Sequence, residues 1–302
     1  VAWVNILTAN FLFLCLGLFG VFMLALTNIV GASFVSPYRR ILEGLAGTVP
    51  YLCISMLAIL LGSHTLYEWT HTDIMLNDKI LIQKMSYLNF PFFTVRMAIC
   101  MLIWALLANY FRQKSRQQDQ DSEQAIEIQQ AVQARSAVGM VLFVLSFSVA
   151  SFDWIMSLEP HWFSTIFAVF TFSGLMTSGI AFTILAIVFF QNRGFLQEVN
   201  SNHFHDLGKL LMGFSTFWAY IWYCQYLLIW YANIPEEVEY YVLREHFGWD
   251  WVFWLNFLIN WLFPFLLLLP RESKRNPELL KRICWMIMVG QWLNVYIMVA
   301  PK

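Results

Sequence analysis

The sequence predicts an all-α polytopic membrane protein with eight transmembrane helices, and three observations carry that class. Of its 302 residues, 59% are hydrophobic and 12% charged, against about 25% charged in a soluble domain. The apolar residues gather into eight runs, at about 4–31, 46–67, 91–111, 137–157, 162–190, 207–232, 251–269 and 279–299. A bilayer core about 30 Å thick takes about 20 residues at 1.5 Å each, so every run is long enough. The runs lack the alternation of barrel strands, and lipid offers backbone N–H and C=O groups no partner. Helices are the spanning form that remains.

Lys and Arg are divided unequally between the connecting segments. One set of segments holds Arg39, Arg40, Arg112, Lys114, Arg116, Arg135, Arg193, Lys209, Arg271, Lys274, Arg275, Lys281 and Arg282; the other holds Lys79, Lys84 and Arg244. The positive-inside rule puts the first set in the cytoplasm and both ends of this chain on the outer, periplasmic-type face. The chain opens at Val1 on its first run and stops at Lys302 just after its eighth, so it is expected to be the core of a longer protein. No cleavable leader is evident in it.

In the first run, Gly17 and Gly20 are placed for close approach of another helix. A loop with Pro37, Arg39 and Arg40 leads to Glu43, Gly44 and Gly47, where the second helix is expected to begin. Glu43 is then an interfacial acid favoured by the helix dipole, or a point of proton entry. The second run ends in SHTLYEWTHTD, which puts His64 and Glu68 four apart on one helix face. The third carries Arg96 about a turn and a half into the membrane. A charge at depth costs about 2.5–3.5 kcal/mol unless paired or near water. Arg96 either snorkels outward or pairs with Asp153, which lies at similar depth.

The segment 112–135 is the one long polar stretch, an amphipathic cytoplasmic extension of its flanking helices around Ile126, Ile128 and Val132. The fourth run gives way to SFDWIMSLEPHWFSTIFAVFTF (151–172), a polar hinge that sets Asp153, Glu159, Pro160 and His161 between two spans. The fifth run is dense in Ser, Thr and Gly, which serve helix packing or line a polar route. The sixth opens with SNHFHDLGK: Ser201 or Asn202 fits an N-cap, and His203, His205, Asp206 and Lys209 gather at the inner surface. Because His titrates near neutrality, the cluster suits proton collection, or plain interfacial anchoring. Outer Trp and Tyr residues of this run fit an aromatic belt, whereas Tyr220 and Gln225 lie deeper and need partners. The acidic loop that follows (Glu236, Glu237, Glu239, Glu245, Asp250, against Arg244) suits a basic or haem-bearing partner, or is simply solvated. Asn256, Asn260 and Pro264 form a stripe in the seventh run, and the eighth adds Gln291 and Asn294. Interhelical hydrogen bonds of about 0.6–2 kcal/mol each are expected of these amides.

The six histidines place only His64 inside a run, near its outer end, so a membrane dihaem site is not expected. The five cysteines are scattered singly, without haem-attachment or iron–sulfur spacing, and fill apolar space. There is no GxGxxG before a helix, no P-loop and no HExxH. Neither a covalently bound cofactor nor a metal site is expected.

Three stretches are more specific: DWIMSLEPHWFSTIF (153–167), KMSYLNFPFFTVRM (84–97) and DLGKLLMGFSTFWAYIWYCQYLLIWYANIPEE (206–237). Together they resemble the NrfD/polysulfide-reductase-like family of quinone-interacting membrane subunits, and within it the ActF-like subunits of bacterial alternative complex III, a quinol:cytochrome c (or other electron acceptor) oxidoreductase. The resemblance implies two four-helix bundles, here 1–158 and 159–302, with flanking terminal helices missing from this chain. It implies the bacterial inner membrane, and as partners a sister quinol-oxidising subunit, periplasmic Fe–S and multihaem c-type cytochrome subunits, and a terminal haem–copper oxidase. The chain itself would be redox-inert, with menaquinone or another quinone nearby, lipids around it and no nucleic acid.

Two functions remain open at this stage. An accessory subunit of a quinol-oxidising complex would carry a proton route. Its inner half would be Glu43, His203, His205, Asp206 and Lys209, and its outer half His64, Glu68, Arg96, Asp153, Glu159 and His161. A free-standing secondary transporter would instead place unwound helices and polar groups at mid-depth in both bundles. A quinone site within the chain itself would draw on His64, Tyr220 or Gln225 as donors to an apolar groove.

Overall fold

Among the described residues, seven helical segments are long and apolar enough to cross a membrane: 2–30, 33–60, 90–120, 127–158, 167–191, 250–268 and 277–299. The chain is all-helical and, by helix length and hydropathy, a multi-pass membrane protein. These features belong to a computed structural model that describes residues 1–120, 125–246 and 248–301, apart from the side chains of Ala125 and Ile126. The expectations placed on 121–124 and on the Ile126 side chain lie outside the described residues.

The long helices are α1 (Ala2–Val30), α2 (Arg39–Met56), α6 (Phe90–Gln120), α7 (Ala125–Trp154), α8 (Phe167–Gln191), α9 (Ser201–Ala232) and α13 (Pro277–Val299). Short helices lie between them: α3 (Ser63–Leu66), α4 (Thr72–Asn77), α5 (Lys79–Lys84) and α10 (Pro235–Glu245). The seventh apolar run is divided into α11 (Asp250–Phe257), a π-helical turn (Leu258–Leu262) and α12 (Phe263–Leu268). Helix α9 has 32 residues, and at 1.5 Å per residue it exceeds the bilayer core. Its many Trp and Tyr residues, rather than a lack of length, separate it from the seven more aliphatic segments.

One apolar core runs through the whole assembly. Helix α1 packs on α2, α6 and α7 on one side and on α8 and α13 on the other, while α8 also meets α9. The α1–α2 contact is close enough to need glycine, because a Cβ on Gly20 would come within 2.6 Å of the Leu42 carbonyl oxygen and 2.7 Å of the Ala46 nitrogen.

The second run departs from expectation at both ends. Helix α2 begins at Arg39, so Glu43 sits one turn inside it rather than at its start. After Met56 the chain passes through a 3₁₀ segment, Leu57–Leu60, before α3. Tyr67, at φ −113° and ψ 115°, then ends α3, and Glu68 opens a separate 3₁₀ turn. His64 and Glu68 therefore share no helix face. Elsewhere α6 and α7 continue past the membrane into the 112–135 segment, as its amphipathic pattern requires.

Candidate functional site

The polar hinge is the corner between α7 and α8. After Trp154 a 3₁₀ turn (Met156–Leu158) and Pro160 interrupt the helix, since proline supplies no N–H and restricts the residue before it. Four segments distant in sequence hold this corner. Arg96 donates through Nε to Asp153 Oδ2 (2.6 Å) and through Nη2 to Oδ1 (3.2 Å), the forked pair expected from their matched depth. Tyr87 adds an O–H bond to Oδ1 at 2.9 Å, and Arg96 Nη1 donates to the Tyr87 carbonyl at 2.9 Å. The guanidinium lies 3.8 Å from the Tyr87 ring centroid and 4.3 Å from that of Phe92. Arg96 is 8% exposed and Asp153 1%, so the charge is sealed by its partners and has not snorkelled to water.

A second pair secures the far end of the hinge. Arg244, 1% exposed, donates through Nη2 to Glu159 at 2.6 Å, through Nε to the Ile297 carbonyl at 3.0 Å and through Nη1 to the Tyr240 carbonyl at 2.8 Å. Its guanidinium covers the Tyr240 ring at 3.4 Å, and Trp162 of the hinge stacks on the same ring at 3.9 Å. Burial pushes the Tyr240 phenol up to about 12, so it stays a neutral platform. Between the two pairs, Lys84 Nζ donates to the Pro160 carbonyl at 2.6 Å, and His161 Nε2 lies 2.5 Å from Asp78 Oδ2. Asp78 also caps α5 through the amides of Ile80 and Leu81. The hydrogen bond with His161 is the main cause that holds the Asp78 carboxyl below its ordinary range. Burial draws the Lys84 ammonium below its usual value, with the Asp78 charge opposing.

Deeper in the second half, the amides of the seventh and eighth runs form one cluster. Asn260 donates to the Asn256 side chain (2.7 Å), Gln291 donates to Asn260 (2.8 Å), and Asn294 donates to Gln291 (3.4 Å). Pro264, four residues on, has no N–H to return to the Asn260 carbonyl, and Ser215 of α9 donates to it at 2.5 Å. Two glycines make room: a Cβ on Gly290 would lie 2.7 Å from Asn260 Oδ1, and one on Gly174 would lie 2.9 Å from Gln291 Oε1. Toward the outer face, a cavity of about 20 Å³ lies between this cluster and Arg244, lined in part by Gln225, Asn256, Asn294 and Tyr241. That is space for one water with polar partners.

The inner candidates are spread over two places. Glu43 is held by Arg39 (3.1 Å), Arg40 (2.6 Å) and the Ser115 hydroxyl (2.6 Å), and Arg40 also pairs with Asp119. Ion pairing, not a helix end, therefore accounts for its burial. Asp206 pairs with Lys209 at 2.8 Å, with His205 4.0 Å away. The cap of α9 is Asn200, one position before the expected Ser201 or Asn202; His203 Nδ1 accepts from the Asn200 amide and completes a capping box.

The proposed quinone donors do not converge. His64 is exposed beyond the apolar segment, stacked on His71 at 3.9 Å. Tyr220 is 61% exposed on the outside of α9 and does not line the small cavity that Gln225 faces. Gln225 is buried and faces the small cavity. The hydroxyls of α8 mostly return to their own helix, as Thr177 to Ser173 and Thr183 to Gly179, while Thr171 also meets Ser151 of α7 at 2.8 Å. Among the described residues, no group of three or more His, Cys, Asp or Glu side chains is arranged to hold a metal ion.

The pairs Glu159–Arg244 and His161–Asp78 were not foreseen from sequence. Arg244 looked like the lone cation of an acidic loop. The signal that it belongs to a helix was the IPEE start, with Pro235 at the first helical position and acids in the first turn. No protein-family model matches the chain, and no curated protein matches it.

Proposed function

We propose that this chain is an integral membrane subunit of a quinol:cytochrome c (or other electron acceptor) oxidoreductase, of the NrfD-like, ActF-like kind, without a redox group of its own. The observation that carries the reading is where the resembling stretches meet. Segments 84–97 and 153–167 interlock through Lys84–Pro160, Tyr87–Asp153 and Arg96–Asp153. A motif that is read as one unit in sequence is thus one polar corner in space. In this reading α9 is the eighth span, and α1, α2, α6 and α7 form one bundle while α8, α9, α11–α12 and α13 form the other. The arginine-rich loops face the bacterial cytoplasm, and the hinge faces the side where Fe–S and haem subunits would dock.

The second bundle also supports a role in proton movement. Asp206 and Lys209 stand at its inner mouth, the amide cluster in its middle, and Arg244 with Glu159 at its outer end. The line is interrupted once: six residues separate Lys209 from Ser215, about 9 Å along the helix, with Leu210, Leu211 and Met212 between. Asp153 and Glu43, each locked in its own pair, lie off this line. Reconstituted vesicles of the whole complex test it. Asp206→Asn and Asn260→Leu are expected to lower protons moved per electron while quinol oxidation persists; an unchanged ratio in both removes the proton role.

A secondary transporter is the second reading, favoured by the π turn beside buried amides at mid-depth. Against it, the first bundle shows only isolated contacts at its centre, such as Trp104 to Ser146 (2.8 Å) and Ser55 to Asn10 (2.7 Å). Purification in mild detergent separates the two. Haem-bearing partners are expected to come with the chain, and a chain that comes alone sinks the subunit reading.

A further inference from the structure

A large concavity lies between the two halves and takes no part in the hinge or the amide cluster. Walled by α1, α2, α8 and α13, it has a volume of about 1000 Å³ and an almost wholly apolar lining. On α2 it runs from Arg40 to Thr48, eight residues or about 12 Å. On α13 it runs from Trp285 to Trp292, about 10 Å. That depth is close to one leaflet, half of a core about 30 Å thick. It begins at the face that carries the arginine-rich loops.

The rim at that face is cationic. Arg193 lies 4.1 Å from the ring of Phe189, which lines the groove. Arg282 is exposed one turn before Trp285 on the same side of α13. Neither has a carboxylate partner among the described residues, whereas Arg40 at the rim is shared by Glu43 and Asp119. The one hydroxyl in the lining, on Thr48, donates to the Leu45 carbonyl at 2.7 Å. The other polar side-chain groups of the lining are the Arg40 guanidinium and the Trp285 and Trp292 indoles; a phosphate with two acyl chains finds cations at one end and a largely apolar slot behind them.

We propose that this groove holds one anionic phospholipid of the leaflet on the arginine-rich face, its acyl chains between the two halves and its phosphate at Arg193 and Arg282. The lipid adds to the contacts that α1, α2 and α7 make with the second half. This assignment does not depend on the electron-transfer reading.

Gly44 gives a clean test, because nothing lies within 4 Å of a Cβ built on it. Gly44→Phe would fill the groove without displacing protein, and Arg193→Gln with Arg282→Gln would remove the free cations. The protein purified in mild detergent, with any partners it retains, is titrated with phosphatidylglycerol and, separately, phosphatidylcholine, and read by native mass spectrometry. Wild type is expected to keep one phosphatidylglycerol where phosphatidylcholine is stripped. The double arginine variant should lose affinity by about thirtyfold, and Gly44→Phe should lose the retained lipid. Should Gly44→Phe not fold, the arginine pair decides. Equal retention of the two lipids by wild type, or unchanged binding in the folded variants, overturns the proposal. So does a quinone, with no phospholipid, in the extract of the purified protein.

Discussion

Replacing Asp153 by Asn tests whether the hinge is held by charge or only by shape. The amide has nearly the same outline and still offers an oxygen to Tyr87. What it removes is the negative charge that faces Arg96 Nε at 2.6 Å and Nη2 at 3.2 Å. Arg96 then remains buried as a cation, with the Tyr87 carbonyl and two aromatic faces as its support. Breaking one side of a buried pair costs about 3–5 kcal/mol. The rings keep part of the cation's stabilisation, at about 0.5–2 kcal/mol for such contacts, so the lower end, about 3 kcal/mol, is expected for Asp153→Asn. Arg96→Met should cost a similar amount, because it strands the carboxylate. The double replacement Arg96→Met with Asp153→Asn removes both desolvated charges, keeps an oxygen for Tyr87 and should return to within about 1 kcal/mol of wild type. The coupling between the sites would then be several kcal/mol, far above the 0.2–1 kcal/mol or so of exposed pairs.

Reversible unfolding in mixed micelles with increasing dodecyl sulfate, followed by tryptophan fluorescence, measures these differences, and Trp154 lies beside the site. The comparison should be repeated at high salt, which weakens exposed pairs but leaves a sealed one nearly untouched. If the double variant loses as much as the two singles combined, the residues do not act as a unit. A loss below about 1 kcal/mol for Asp153→Asn would mean that water reaches the pair.

Gly290→Ala should destabilise by about 1–3 kcal/mol, since the new methyl meets both Asn260 Oδ1 and Ile259 Cγ2 at 2.7 Å. Gly213→Ala, in open space on α9, should be neutral or slightly stabilising in the same unfolding assay; equal effects would count against a tightly packed amide cluster. Asp78 provides a pH test. Its carboxyl is held below its ordinary 3.8 chiefly by the bond with His161, so its contribution is present above the unfolded value and lost as pH falls through the folded one. Hydrogen exchange over 156–166, corrected for intrinsic rates, should therefore show constant protection down to about pH 4 and loss below it. His161→Gln should move that loss upward, and loss beginning near pH 6 in wild type would refute the assignment.

Length and hydropathy made the spans legible because lipid imposes one rule on every backbone group, and among the described residues seven of the eight runs fall in helical segments long and apolar enough to obey it. The same rule explains where reading failed. Leu57–Leu66 is apolar enough to continue α2, yet it turns at Gly62 and Tyr67, because packing against the rest of the fold decides there and hydropathy does not. A Cβ at Gly62 would lie 2.3 Å from the Trp3 ring of α1. The π turn at 258–262 was equally hidden. Its trace was the placement of Asn256, Asn260 and Pro264, which marked a polar stripe without revealing that the ladder opens beside it.

The site was half legible, and the half that was found shows what sequence can carry. Arg96 and Asp153 both lie inside apolar runs, where an unpaired charge is too costly to leave alone, so each one predicted the other. Glu159, His161, Asp78 and Arg244 lie in connecting segments, where water is a sufficient partner for any of them. Nothing local required them to pair. Arg244 is buried only because α10 folds back over the hinge and presents it to the carbonyls at the end of α13. The same reasoning separates His64 from the route it was assigned to. Its place near the outer end of an apolar run suggested a helical position facing Glu68, but the helix ends at Tyr67 and the imidazole stands exposed, stacked on His71.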